Sequence, residues 1–277
     1  GPAGRRNRLD IYRPKGGVEN APVLLQIHGG GWTIGNKQQQ GQPLMHYLAS
    51  LGWVCVAINY RLSPKVAFPD HLIDAKRALV WIRENIVEYG GDPNFVAATG
   101  GSAGGHLSAL MTLTGNEAVF QPGFEDADTS VQTGVPMYGL YDVRDFAETK
   151  WGEGFVKFFD RIVMKADRAE NPELYTQASP AAWLREDSPS MFVVHGEKDV
   201  LLPVVEARRF VEKVRATVKK PVPYAELPGS QHAFDIFWSV RTGHAVAAIS
   251  RFLMYEYSQY LDDSSHTADE SGSASMR

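Results

Sequence analysis

The stretch ATGGSAGGHLSAL, residues 98–110, decides how the rest of the chain is read. Its centre, Gly100-Gly101-Ser102-Ala103-Gly104, is a G-x-S-x-G run. A short apolar segment, Phe95-Val96-Ala97-Ala98-Thr99, precedes it, and Leu107, Leu110 and Leu113 follow at helical spacing. Strand, tight turn and helix around one serine are the setting in which this motif marks a nucleophile elbow. Glycines two before and two after the serine let strand and helix approach without Cβ clashes. Small residues packing one helix closely would leave the same letters. The serine reading therefore requires a base, an acid and an oxyanion site elsewhere in the chain.

Working outward, Pro22-Val23-Leu24-Leu25-Gln26-Ile27 is almost wholly apolar and runs into His28-Gly29-Gly30-Gly31-Trp32. Such a run reads as a strand buried on both faces, and Trp53–Asn59 reads the same way. Residues 38–51 hold a short helix between them. Over residues 70–89, Leu72, Ala75, Leu79, Ile82 and Ile86 share one helical face. Gly90-Gly91-Asp92-Pro93-Asn94 then turns the chain into residues 95–99. Beyond the elbow, Val131–Leu140 and Met191–Gly196 read as strands, Pro203–Thr217 as an amphipathic helix and Val222–Leu227 as an edge strand. A closing helix follows from Phe234 to about Tyr260. Alternating strands and helices predict an α/β fold with a mostly parallel central sheet and helices on both faces. Residues 141–182 show no clean strand and read as a small cap insertion in one domain, residues 1–261. Residues 262–277, nearly free of apolar side chains, are expected to be disordered.

The 277 residues, 44% hydrophobic and 22% charged, suffice for a core that needs no disulfide or metal. A net charge of −4 without a basic stripe argues against nucleic acid as a partner. The single cysteine, Cys55, lies in an apolar run and reads as a buried hydrophobe. No apolar run approaches the ~18 residues of a membrane span, and there is no signal-peptide pattern. The chain does not open with Met. Membrane contact is therefore expected only through a segment upstream, and the expected location is cytoplasmic or membrane-associated by that route. The sequence does not give the oligomeric state.

Three glycines after a strand let backbone N–H groups face a ligand with no side chain in the way. An HGGG-type run does this for an oxyanion, together with the N–H of the residue after the nucleophile. That assigns Gly30, Gly31 and Ala103, with His28 bracing the loop. A phosphate loop is disfavoured, because neither a Lys-Ser/Thr pair nor G-x-G-x-x-G follows. The base must come after the serine in the chain, and after the acid. His106 lies one helical turn past Ser102 and points away from the elbow. His195 comes too early, His244 lies within the last helix, and His266 is in the tail. His232 sits on a loop between the last strand and the last helix, where a solvent-reachable base belongs. Asp199, on the loop after the strand ending His195-Gly196, is the acid, with Glu197 its competitor. Helix capping near Pro203 is the plainer role for Asp199.

These residues resemble the hormone-sensitive-lipase-like branch of the α/β-hydrolase superfamily, the HGGG esterases and lipases. The resemblance rests on HGGGW (28–32), INYRLSP (58–64), FP (68–69), GGDP (90–93), GGSAGG (100–105), HGEKDVL (195–201) and QHAF (231–234), and it covers about residues 9–260. Gly101 stands where that branch often has Asp, and His106 where Asn is common. Both are closer to bacterial carboxylesterases and kynurenine-formamidase-like hydrolases. The branch also usually has more chain before the strand at residues 9–12.

The resemblance and the residues together predict a serine carboxylesterase or lipase acting on short- to medium-chain acyl esters through Ser102, His232 and Asp199. No metal or cofactor is implied. Trp32, Trp151, Phe155 and Phe159 are expected to line an apolar pocket, with core packing as the alternative. An amidase of the arylformamidase type would use the same triad, and a ligand-binding member of the fold without catalysis would lack part of it.

Overall fold

The computed structural model describes residues 4–144 and 152–274, with side chains as far as residue 265. Eight strands form one sheet: β1 (Leu9–Tyr12), β2 (Ala21–Ile27), β3 (Val54–Ile58), β4 (Gly91–Gly101), β5 (Thr133–Met137), β6 (Ser190–Met191), β7 (Val193–Gly196) and β8 (Tyr224–Leu227). The spatial order is β1-β3-β2-β4-β5-β7-β8, with β6 paired to β5. Only β1 runs antiparallel, against β3; every other pairing is parallel.

Period-two alternation sends successive side chains of the buried strands to opposite faces. Val23, Leu25 and Ile27 of β2 meet α2 (Asp70–Asn85) and α3 (Ala103–Leu113). Leu24 faces the other way, toward α1 (Gln42–Ser50) and α7 (Val240–Ala274). α6 (Val204–Thr217) packs Ala207, Phe210 and Val214 beside Ala109 and Leu113 of α3. The chain leaves β2 for α1 on one face, and leaves β4 for α3 on the opposite face. Adjacent strands whose connections diverge in this way open a crevice at their carboxyl ends, the usual ligand position in open α/β sheets. The glycine loop after β2 and Ser102 after β4 both lie there.

Several boundaries differ from the sequence reading; the closing helix, for one, starts at Val240 and not at Phe234. β4 begins at Gly91, not near residue 95, because Gly91 pairs with Ala21 across an irregularity in β2. The turn is confined to Gly90, at φ +85°, where a Cβ would overlap the Val18 carbonyl. The closing helix runs to Ala274, through residues whose composition predicted disorder. No proline interrupts that segment. Among the described residues no helix is long and apolar enough to cross a membrane.

Within 141–182 the described residues form α4 (Glu153–Phe158), a wider turn over Phe159–Met164, and α5 (Pro172–Gln177). Phe159, Val163, Met164 and Tyr175 bury themselves in the same core as α2 and α3. The insertion is thus anchored on the face of the sheet that carries α2 and α3.

Candidate active site

Ser102 joins β4 to α3 with φ +59° and ψ −122°, a conformation that side-chain-bearing residues rarely adopt and that locates strain at functional turns. Its neighbours explain how the turn is held. A Cβ on Gly100 or Gly104 would overlap the Ile27 carbonyl at the end of β2, and one on Gly105 would overlap the Met137 carbonyl at the end of β5. The Ser102 N–H donates to the Met137 carbonyl at 3.0 Å, and the His106 N–H donates to the Ser102 carbonyl at 2.9 Å, starting α3.

The glycine loop packs against this turn. A Cβ on Gly29 would stand 2.6 Å from the Gly101 carbonyl, and Gly30 turns at φ +110°. The Thr33 and Ile34 N–H groups donate back to the Gly30 carbonyl at 3.1 and 3.0 Å. Among the described residues no acceptor is bonded to the N–H of Gly30, Gly31 or Ala103. His28 braces the loop as expected: its ring stacks on Tyr60 with centroids 4.4 Å apart, and its Nδ1 lies 2.6 Å from the Gly29 carbonyl. Burial lowers the His28 pKa to about 4, so the ring is neutral near pH 7.

The acid and the base come together directly. His232 Nδ1 donates to Asp199 Oδ2 at 2.7 Å. Since that proton is on Nδ1, Nε2 carries the lone pair, and it has no hydrogen-bond partner among the described residues. Asp199 Oδ1 accepts from the Leu201 and Leu202 N–H groups at 2.9 and 2.8 Å. Its Oδ2 also lies 3.4 Å from His195 Nε2, which in turn reaches the Leu202 carbonyl at 2.9 Å. Burial alone would raise the Asp199 pKa. The hydrogen bonds from His195 and His232 outweigh it and hold the carboxyl well below the usual carboxylate range. Asp199 does not cap α6, which begins after Pro203 with no side-chain cap. Glu197, the competitor, instead accepts from the Gly229 N–H at 2.9 Å and so supports the histidine loop.

Tyr138, just past β5, links this pair to the elbow. Its ring meets His232 edge-on, with centroids 4.7 Å apart at 69°. Its hydroxyl occupies the space beside Gly101, where a Cβ would overlap it. That is the reason a glycine precedes Ser102 in this chain. His106 is buried with Nε2 at 2.7 Å from the Ala178 carbonyl, so it braces the insertion and does not face the elbow.

The pocket reading needs correction. Trp32 and Phe159 are buried in the core and meet edge-to-face at 5.3 Å, and Phe155 packs against that core. Trp151 lies outside the described residues. Phe158 is the ring that stands over the glycine loop, 3.7 Å from a Cβ built on Gly31. A cleft of about 430 Å³ opens between Gly29-Gly30, Ile34 and Gln40 on one side and Ile236-Phe237 on the other. A larger one of about 510 Å³ lies between β1, β3 and α2, and neither cleft is lined by Ser102, Asp199 or His232. Sequence reasoning missed Tyr138, Gln40, Asp235 and the bracing role of His195. Tyr138 had a signal: a polar-tipped residue at the carboxyl end of a buried parallel strand, where site residues collect.

The BD-FAE family model matches residues 9–214. The chain belongs to the BD-FAE family. Among curated relatives of this BD-FAE chain, the probable carboxylic ester hydrolase LipM of Mycobacterium tuberculosis (strain ATCC 25618 / H37Rv) is 50% identical over 276 residues, covering 99% of the chain and 63% of LipM. Esterase LipQ of the same strain is 46% identical, covering 94% of the chain and 62% of LipQ. The chain thus spans a little under two thirds of the length of these relatives. Among solved structures, an esterase from Thermogutta terrifontis with butyrate bound superposes with a TM-score of 0.74 at 25% identity, covering 89% of this chain and 88% of that one. A truncated carbohydrate esterase from gut microbiota has the same fold, with a TM-score of 0.75 at 22% identity over 90% of each chain. The fold is that of an α/β-hydrolase.

Proposed function

We propose that this chain hydrolyses carboxylic esters of short to medium acyl length through Ser102, His232 and Asp199. The observation that carries the reading is the 2.7 Å bond from His232 Nδ1 to Asp199 Oδ2, which leaves Nε2 free to act as a base, while Tyr138 touches both the His232 ring and the space beside Gly101. Ser102 Oγ attacks the ester carbonyl carbon while His232 Nε2 takes its proton. Asp199 holds the imidazole in the tautomer that allows this and stabilises the imidazolium formed. The carbonyl oxygen becomes an oxyanion that the N–H groups of Gly30, Gly31 and Ala103 receive, at the amino end of α3. Collapse breaks the bond to the alkoxy oxygen, which leaves as an alcohol with the proton from His232. Water, deprotonated by the same nitrogen, then cleaves the acyl-enzyme to carboxylate and restores Ser102.

Two further points support the substrate class. The cleft of about 430 Å³ beside the glycine loop lies within the usual small-ligand range of roughly 300–1,000 Å³. The Thermogutta terrifontis esterase of the same fold has been solved with butyrate, a short-chain carboxylate, bound. Turnover of p-nitrophenyl butyrate tests the reading. Ser102→Ala is expected to lose on the order of 10⁵-fold or more in kcat. If that variant keeps its turnover, the serine assignment falls. Stronger activity on laurate than on butyrate esters would overturn the chain-length part alone.

A further inference from the structure

We propose that Tyr138 is a positioning residue whose hydroxyl ties the oxyanion loop to the histidine loop, so that the two halves of the site hold one relative geometry. The inference rests on the triad reading above and adds three residues to it. Gln40 Oε1 accepts from the N–H of Gly29, at the start of the glycine run. The Nε2 of the same amide donates to the Tyr138 hydroxyl at 3.4 Å. That hydroxyl donates its own proton to Asp235 Oδ1, three residues past His232. A phenol both donates and accepts, so one oxygen closes the chain from Gly29 to the histidine loop.

The surroundings show that the tie is built in. Tyr138 and Asp235 are buried, and Asp235 Oδ2 has no partner among the described residues. A buried carboxylate is costly unless it is hydrogen-bonded, so the Tyr138 bond matters to it. Tyr138 also holds φ +34°, unusual for a side-chain-bearing residue. Its amide donates to the Val194 carbonyl at 2.7 Å, which aims the ring at His232 and Phe234. Gly101 gives up its side chain to make room for the hydroxyl. Ring packing alone would need only a phenylalanine; what sets tyrosine apart here is the oxygen between two loops.

The experiment compares Tyr138→Phe, Gln40→Ala, their double variant, Asp235→Ala and Asp235→Asn on p-nitrophenyl butyrate. Rates are expressed per active site counted by stoichiometric phosphonylation, which removes any unfolded fraction. Tyr138→Phe is expected to lower kcat about 10- to 100-fold, the scale of a small misplacement of reacting groups. KM should change by less than about threefold, since ground-state binding is untouched. The double variant should be no slower than the worse single one, because both cut the same chain. Asp235→Asn keeps the acceptor and should recover most of the loss seen in Asp235→Ala. Rates for Tyr138→Phe within about twofold of the parent, or losses that multiply in the double variant, would overturn the tie. Should Tyr138→Phe not fold, Gln40→Ala and the Asp235 pair decide alone. Ser102→Ala in the same series separates the two claims. A dead, unlabelled Ser102→Ala beside a fully active Tyr138→Phe sinks only the tie, whereas an active Ser102→Ala sinks the triad reading.

Discussion

The elbow and the glycine loop meet backbone against backbone, whereas the acid and histidine loops meet side chain against side chain. On the first side, Gly29, Gly100, Gly104 and Gly105 each stand where a Cβ would press on a neighbouring carbonyl. On the second, Asp199 gathers His232, His195 and two amides, and Glu197 holds Gly229. Exposure follows the same division. Among the described residues Ile34 is the one large apolar side chain exposed on the glycine-loop side, while Val200, Leu201, Phe237 and Trp238 stand out on the loops of Asp199 and His232. The first half should therefore fail when atoms are added, and the second when hydrogen-bonding groups are removed.

The largest expected effect tests the second half. Asp199→Asn keeps the shape of the side chain but removes the charge and the demand for a proton on His232 Nδ1. A fall of about 10⁴ in kcat is expected, the size seen when a triad acid is replaced this way. Glu197→Gln should stay within roughly threefold, as its contact is with the exposed Gly229 amide. If Glu197→Gln proves the more damaging of the two, the acid has been misassigned and the hydrogen-bonded half is organised around another residue.

Gly104→Ala tests the first half. Its methyl group would meet the Ile27 carbonyl and the backbone of His28, neither of which is a movable side-chain end. Overpacking of this kind costs about 3 kcal/mol, or a fall in Tm of roughly 6–12 °C for a chain of this size. Gly154→Ala is the control. It lies in α4 with open space around its Cβ position, and should stabilise by about 0.5 kcal/mol. Equal melting shifts for the two would show that the elbow side has slack.

This division also explains what the sequence revealed. The glycine runs and the buried strands are local patterns, so the sheet, the elbow and the glycine loop were legible from spacing alone. Asp199 and His232 were legible from their order and their loops. Tyr138, Gln40 and Asp235 were not, because their roles arise only when three distant segments converge on one hydroxyl. The aromatic residues of the insertion misled for a related reason. Helical spacing marks a buried face, and it does not say whether that face covers a core or a cleft. Phe159 covers the core, as does Trp32 of the glycine loop.

Acid should break the two halves at different pH. Burial lowers His28 and His106 to about 4, and His71, on α2, to about 3. Their ordinary value is 6.5, so below pH 6.5 the unfolded chain binds protons that the folded chain refuses. Stability is therefore complete above pH 6.5 and falls as the pH drops toward 4. Asp199, held low, keeps its contribution until the pH falls below the ordinary carboxylate value of 3.8. Calorimetry from pH 7.5 downward should show Tm falling before the carboxylates titrate, with a slope of up to about 1.4 kcal/mol per pH unit for each histidine. His106→Gln keeps a donor that can reach the Ala178 carbonyl and should remove one histidine's share of that slope. An unchanged slope in that variant would place the acid sensitivity elsewhere.

The smallest expected effect concerns the exposed edge of the second half. Phe237 is 80% exposed and lines the cleft opposite Ile34. Phe237→Ser should leave stability within about 0.5 kcal/mol, as surface changes do. An acyl chain lying along the cleft would lose contact with a corner of the ring: about 30 Å² at ~25 cal/mol per Å² is roughly 0.7 kcal/mol, or about threefold. That loss should appear in kcat/KM for the p-nitrophenyl octanoate ester and vanish for the acetate, which is too short to reach the ring. Equal losses on both esters would mean that Phe237 acts by holding the histidine loop and not by touching the acyl chain. The second half would then depend on packing as the elbow does, and the contrast between the two would narrow to the chemistry of Asp199 alone.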